Sequence, residues 1–215
     1  MTAHTSPTGL PSPLILHEDP VSGNCYKIRL TAALLDIPVE RRFYDITKGE
    51  TRTERFLAEV DANGRIPVLQ AGEQFLPESN AACFYLADGS GLIPSGRFER
   101  AAMLRWMFFE QYQHEPNIAT MRYWLHVLGE ANLSDEQRGL MAMKRSGGEA
   151  ALALMDRHLA ERDWFVGDAC SLADIALFAY THVAHEGGFS LDGFGAIRGW
   201  IGRMRALPRF VAMQG

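Results

Sequence analysis

Hydrophobic positions change their spacing along this chain. Leu14-Ile15-Leu16 is an unbroken apolar run of strand length, closed by the loop Glu18 to Gly23. From Asn24 the spacing lengthens. Cys25, Ile28, Ala32 and Leu35 recur every three or four residues, which predicts a helix with one inward face that stops near Asp36, ahead of Pro38. Val39 to Ile46 reads as a second strand, and the polar loop from Lys48 leads to a short helix carrying Phe56, Leu57 and Val60. Ile66-Pro67-Val68-Leu69 and Gln74-Phe75-Leu76, separated by an Ala71-Gly72 turn, predict a hairpin. An apolar helix from Asn80 to Ala87 follows and halts at Asp88-Gly89. The order is β-α-β-α-β-β-α, a thioredoxin-like arrangement of the α/β class.

Gly89 to Gly96 is rich in Gly, Ser and Pro around an apolar Leu92-Ile93 anchor and reads as a linker. Beyond it strand alternation disappears. Ala101, Leu104, Phe108 and Tyr112 mark a long helix from Arg97 to Val127, interrupted by Pro116. Most of its aromatic residues, among them Trp106, Phe109 and Trp124, belong in a core or an interface. A second long helix, Glu136 to Leu159, carries Leu152, Met155 and Leu159 on one face, and its Gly147-Gly148 pair predicts close packing or a bend. Ser171 with Asp174 three residues on is a capping box, flanked by Cys170 and Ile175 as a hydrophobic staple. The last helix, Ala196 to Leu207, buries Ile197, Trp200, Ile201 and Met204. The expected division is a disordered tail at 1–13, an α/β domain at 14–88, a linker at 89–97 and an all-helical domain at 98–215.

Composition narrows the functional classes. With a net charge of −5 and no basic stripe, the 215 residues give nucleic acid or an anionic membrane no electrostatic footing. No apolar run approaches the roughly 20 residues that span a bilayer. The proline-bearing first thirteen residues lack the apolar core of a secretory signal. The three cysteines, Cys25, Cys83 and Cys170, are widely spaced, which argues against a disulfide framework or a zinc site and fits a reducing cytoplasm. His182 and His185 stand three apart without a third ligand, so no metal is expected.

Two stretches carry candidate chemistry. At Ser22-Gly23-Asn24-Cys25-Tyr26-Lys27 a hydroxyl and an amide precede the first turn of a helix, where they and the helix dipole stabilise an anion and lower the pKa of a thiol. Ser22 and Asn24 equally suit helix capping, and Cys25 falls on the inward face as a buried, inert thiol rather than a redox nucleophile. In the second stretch, Pro67 opens a strand without an N–H to give, so a cis Ile66–Pro67 bond would turn the N–H and C=O of Ile66 outward to pair with an extended peptide. Glu78-Ser79 then starts a helix, a suitable seat for a carboxylate. Together they describe a pocket for a small, acidic, peptide-like ligand.

From residue 14 to about 210 the chain resembles the cytosolic glutathione transferases. Ser22 and Lys27 match the spacing of the Ser-type motif, and Asn24 falls where bacterial Nu-class members carry a functional asparagine in Thr-Pro-Asn-x-x-Lys. The resemblance implies that Ser22 and Asn24 are catalytic. It implies that Ile66 and cis-Pro67 take the cysteinyl backbone of glutathione, that Glu78 and Ser79 take its γ-glutamyl end, and that Arg52 and Arg65 take the glycyl carboxylate. Ser171 and Asp174 match the structural folding motif of the C-terminal domain. Tyr112, Pro116, Asn117 and Tyr123 are candidates for the co-substrate pocket, ordinary packing being the alternative for each. The implied protein is a cytoplasmic detoxification homodimer that uses glutathione as co-substrate, without metal or tightly bound cofactor, and conjugates it to a small, hydrophobic electrophile. A glutathione-dependent disulfide reductase and a non-catalytic binding protein are the alternatives.

Overall fold

The structure is a computed structural model and describes residues 9–213. Most of the expected tail lies outside the described residues; of it, Gly9 to Pro13 are placed, with the Ser12–Pro13 bond cis. By contact the chain divides into two compact units, one running up to Ser90 and including the segment from Pro208, the other Gly91–Leu207.

In the first unit the apolar run forms β1 (Leu14–Glu18), and the helical spacing forms α1 (Gly23–Leu34), ended by Asp36 at φ 59°. β2 (Glu40–Phe43) is shorter than the Val39–Ile46 strand predicted. Asp45 ends it by accepting the N–H groups of Thr47 and Lys48, which turns the chain into a 3₁₀ segment, Ile46–Lys48, instead of extending the strand. A second 3₁₀ turn, Glu50–Arg52, leads to α2 (Glu54–Glu59). The hairpin consists of β3 (Val68–Ala71) and β4 (Gln74–Pro77), and α3 (Ser79–Ala87) follows directly. Ala71 pairs with Gln74, so the turn residues are Gly72-Glu73 rather than Ala71-Gly72; Gly72, at φ 63°, supplies the left-handed position this two-residue turn needs.

The sheet order is β2-β1-β3-β4, with β1 parallel to β2 and antiparallel to β3, and β4 antiparallel to β3. This is the mixed four-stranded sheet of a thioredoxin-like fold. α1 is buried on more than its predicted face: Cys25, Ile28 and Ala32 point inward as expected, yet Tyr26, Lys27, Leu30 and Thr31 are buried too. For Tyr26 part of the added cover comes from the far end of the chain. Tyr26 donates its hydroxyl to the Val211 carbonyl at 2.7 Å, Arg29 donates to the Met213 carbonyl at 3.0 Å, and Arg209 pairs with Asp36 at 3.1 Å.

The second unit is helical. Residues 97–129 form α4 (Arg97–Phe109), a π-helical turn (Glu110–His114), α5 (Glu115–Arg122) and a second π-helical stretch (Tyr123–Gly129). Pro116 does not break the run. It sits in the first turn of α5, where its missing N–H costs little, and the wide π turn before it makes room for the ring. The face predicted to be apolar is nevertheless the outer one. Phe108 and Tyr112 are 68% and 85% exposed, while Met103, Trp106, Met107 and Phe109 face the core. Both stripes have helical spacing, and spacing does not say which one looks inward.

α6 (Asp135–Leu159) begins at a capping box of Ser134 and Gln137 that the hydrophobic pattern did not reveal. Its glycine pair provides the close packing expected. A Cβ on Gly147 would lie 2.8 Å from the Asn117 amide, and one on Gly148 only 2.4 Å from the Phe189 ring. α7 (Leu172–Thr181) and α8 (Gly195–Arg205) complete the unit around Trp106, Phe165, Phe178 and Trp200, whose rings meet edge to face. No helix among the described residues is long and apolar enough to cross a membrane.

Candidate functional site

Strand register brings the expected first-unit residues to one end of the sheet. β1 ends at Glu18 with His17 opposite Val68, so the loop into α1 lies beside the start of β3. Val68 in turn faces Pro77, and continuing that antiparallel register sets Pro67 against Glu78. The loop before α1, the Ile66–Pro67 step and the start of α3 therefore converge, and the Ile66–Pro67 bond is cis. One contact ties the group together: Ser79 donates its hydroxyl to the Asn24 side-chain carbonyl at 3.3 Å, across fifty-five positions of sequence.

Each part is shaped locally. Asp19 builds the approach to α1, accepting the Val21 N–H at 3.1 Å through its carboxylate and the Ser22 N–H at 3.0 Å through its carbonyl. Sequence reading passed over Asp19, although an aspartate before Pro20 is a turn-forming signal. Ser22 caps α1 by accepting the Cys25 N–H at 3.4 Å, and its hydroxyl also hydrogen-bonds the Cys25 thiol, through a proton that can turn to a ligand instead. Capping and donation to a ligand are thus compatible in one side chain. Cys25 is fully buried, and burial pushes its thiol pKa up to about 12, which leaves it inert at neutral pH.

Glu78 stands at φ 70°, a left-handed conformation that costs a non-glycine residue about 1–3 kcal/mol and persists only where its surroundings impose it. No side chain of its own caps α3 behind it. Ser79 is buried and Glu78 exposed. Arg52 donates to the Asn63 carbonyl at 2.8 Å and lies against Gly64, where a Cβ would come 2.7 Å from its guanidinium. It therefore braces the turn that delivers Arg65-Ile66-Pro67. Arg65 is exposed, its backbone N–H held by Asp61 at 3.0 Å. Two helix starts, with their N–H groups and partial positive charge, thus meet at this end of the sheet.

The second unit holds a separate cleft of about 310 Å³, lined by Gln111, Glu115, Pro116, Ala119, Thr120, Tyr123 and Tyr180. Pro116 and Tyr123 were expected there; Tyr112 and Asn117 are not part of it. Tyr112 stands out from the helix, and Asn117 turns to Gly147 and donates to the Gln113 carbonyl at 2.6 Å. Gln111 and Glu115, joined at 2.6 Å, and Thr120 and Tyr180 were missed. The i, i+4 pairing of Gln111 and Glu115 was their only signal in the sequence.

Asp174 is wholly structural. One oxygen accepts the Phe165 N–H at 3.1 Å and the Trp200 indole N–H at 3.0 Å, and the other accepts the N–H and hydroxyl of Ser171 at 2.9 Å each. Burial outweighs these bonds and pushes its pKa up to about 6. His182 lies flat on Phe178 and hydrogen-bonds its carbonyl at 2.7 Å, with burial lowering its pKa to about 4. No group of three or more metal-ligating side chains occurs among the described residues.

Residues 12–88 match the family of glutathione S-transferase N-terminal domains, and residues 133–208 match the family of their C-terminal domains. A crystal structure of a glutathione S-transferase from Pseudomonas fluorescens Pf-5 superimposes with a TM-score of 0.88 at 43% identity, over 95% of this chain and 100% of that one. The chain belongs to the glutathione S-transferase family. Among other relatives of this transferase, Glutathione S-transferase 2 of Anopheles gambiae is 28% identical over 87% of this chain and 88% of its own length. Disulfide-bond oxidoreductase YfcG of Escherichia coli K12 is 25% identical over 86% and 87% respectively.

Proposed function

We propose that this transferase binds glutathione in its first unit and conjugates it, as the thiolate, to a small electrophile. The observation that carries the reading is the Ser79–Asn24 hydrogen bond, which joins the starts of α1 and α3 at the end of the sheet where Ile66–Pro67 enters β3. In this reading Ser79, Glu78 and the start of α3 take the γ-glutamyl carboxylate and amine, the backbone of Ile66 pairs with the cysteinyl residue, and Arg65 with Arg52 attracts the glycyl carboxylate. The ligand thiol meets the Ser22 hydroxyl and the Asn24 amide at the start of α1. Donors there stabilise the thiolate more than the thiol, so the pKa of bound glutathione falls. The thiolate sulfur forms a bond to the electrophilic carbon while that carbon's leaving group departs with its electron pair. In an addition, the electron pair instead moves onto the acceptor and is then protonated.

Pro116 and Tyr123 remain the proposed co-substrate residues, now with Gln111, Glu115, Thr120 and Tyr180, whose polar groups favour an electrophile that accepts and donates hydrogen bonds. Detoxification in the cytoplasm is the proposed setting. A homodimer is proposed from the exposed aromatic residues of α4 and the π turn after it, Phe98, Phe108 and Tyr112, which are 82%, 68% and 85% exposed.

A second reading is disulfide reduction, favoured by the likeness to the Escherichia coli disulfide-bond oxidoreductase and by the burial of all three cysteines of this chain. Two glutathiones would then supply both electrons and leave as glutathione disulfide, while the substrate disulfide gains two protons. The ultraviolet absorbance of bound glutathione, titrated against pH, tests the shared step. Ionisation at least one unit below that of free glutathione, lost in Ser22→Ala or Asn24→Ala, is the expected result. Binding without a shift in either protein would overturn the mechanism, and parallel assays with a halo-aromatic acceptor and a model disulfide separate the two readings.

A further inference from the structure

The first unit contains a cavity that the proposed glutathione chemistry does not use. It measures about 470 Å³, within the range of small-molecule pockets. Ala32 and Ala33 of α1, Ile37, Val39, and Val211 with Ala212 of the C-terminal segment make its walls aliphatic. Two guanidinium groups, Arg29 and Arg41, complete the lining. None of Ser22, Asn24, Ile66, Glu78 or Ser79 borders it.

Charge at this cavity is unbalanced. Glu18 is fully buried and lies between the two arginines, one carboxylate oxygen 3.1 Å from the Arg29 Nε and the other bonded to the Arg41 Nε. Among the described residues, two cations thus share one anion. Arg29 spends its remaining groups on the Met213 and Pro20 carbonyls, at 3.0 and 3.1 Å. Arg41 bonds Glu18 through Nε, and its guanidinium lies over the Phe43 ring, 4.9 Å from the ring centre. Its two terminal nitrogens make no hydrogen bond among the described residues, and its side chain is 34% exposed where it lines the cavity. Such an end-on pair of N–H₂ groups matches the two oxygens of a carboxylate. An apolar body would displace water from the alanine, isoleucine and valine walls.

We propose that this cavity is a second ligand site, distinct from the glutathione groups, for a small monocarboxylate with an aliphatic body. The carboxylate pairs with Arg41 and neutralises the surplus charge over Glu18, and the hydrocarbon lies along α1 and residues 211 and 212. A cation of the same shape is repelled by the guanidinium pair. A neutral alcohol of the same length gains the walls but not the charge-assisted bonds.

The test is calorimetric titration of the full chain with decanoate, using decanol and decyltrimethylammonium as comparisons. Decanoate should bind saturably at one site per chain, and saturating glutathione should not displace it. Arg41→Gln should weaken it about tenfold or more, the loss expected for a charge-assisted pair. Ala33→Trp, which fills the cavity, should abolish it; should that variant misfold, Ala33→Glu sets a like charge against the ligand with the same expectation. Glutathione affinity should stay unchanged in each. No saturable binding, equal affinity for decanol, displacement by glutathione, or indifference to these substitutions would each overturn the proposal.

Discussion

Asp174→Asn exchanges a buried carboxylate for an amide of the same shape, and the structure gives the consequence a sign that changes with pH. Four donors converge on this side chain. In the cheaper orientation the amide oxygen keeps Phe165 and Trp200, and the NH₂ group faces Ser171. The Ser171 hydroxyl can turn to accept from it, but the Ser171 N–H cannot. One buried N–H is then left without an acceptor, at a cost of about 2 kcal/mol. Against this stands the burial of charge. A folded pKa of about 6, raised from 3.8 chiefly by desolvation, means that the ionised carboxylate opposes folding by about 3 kcal/mol above pH 6. That penalty fades as pH falls from 6 and is gone below 3.8, because the folded state then binds the proton more readily than the unfolded one. The variant never carries it. Near pH 7 it should therefore match the parent protein or exceed it by about 1 kcal/mol, and near pH 4 it should be about 1.5 kcal/mol less stable. Urea unfolding followed by tryptophan fluorescence, with Trp200 and Trp106 reporting this unit, measures the gap at each pH. An aspartate stabilised by its charge would give the opposite trend, so a gap that narrows on acidification, or one that stays constant, would refute the reasoning.

Three further outcomes are expected. Gly148→Ala pushes a methyl group into the Phe189 ring and should destabilise by about 1–3 kcal/mol, read as a lower urea midpoint with unchanged slope. Cys25, Cys83 and Cys170 are all buried, so a thiol reagent at pH 8 should label none of them until denaturant is added; rapid labelling of the native chain would contradict the packing of α1, α3 and the start of α7. Replacing both Phe108 and Tyr112 with lysine should shift a dimer toward monomer in sedimentation, and an unchanged mass would remove these exposed aromatic residues from the interface.

Local chemistry explains which features could be read from the sequence. Cys25, Ile28 and Ala32 specified the inner face of α1, Ile66-Pro67 the entry to the hairpin, and Ser171-Asp174 the start of α7, because each depends on residues adjacent in sequence. The sequence left open which stripe of the helix from Arg97 onward looks inward, because Phe108 and Tyr112 are as apolar as Trp106 and Phe109, and choosing between the two takes knowledge of what α6 and α7 offer opposite. Glu78 carries no composition signal for its left-handed backbone, since only the hairpin and α3 on either side impose it. Tyr112 and Asn117 stand in the same segment as the residues that line the cleft, yet neither borders it. The π turn at 110–114 changes the phase of the helix, however, and brings Gln111 and Glu115 round in their stead.

Tyr26 and Arg29, in the first helix, wait for carbonyls at Val211 and Met213. A chain emerging from the ribosome in order therefore presents the helical unit, Gly91–Leu207, in full before the opening unit has its last strip of cover. The unit begun first is finished last. Until then the side of α1 that carries Tyr26 and Arg29 lacks these partners, while Asn24 and Ser79 can already meet. The sheet and its ligand-facing end are thus separable in time from the closure of α1, and a chain stalled at residue 207 should fold loosely around a site whose parts are all present.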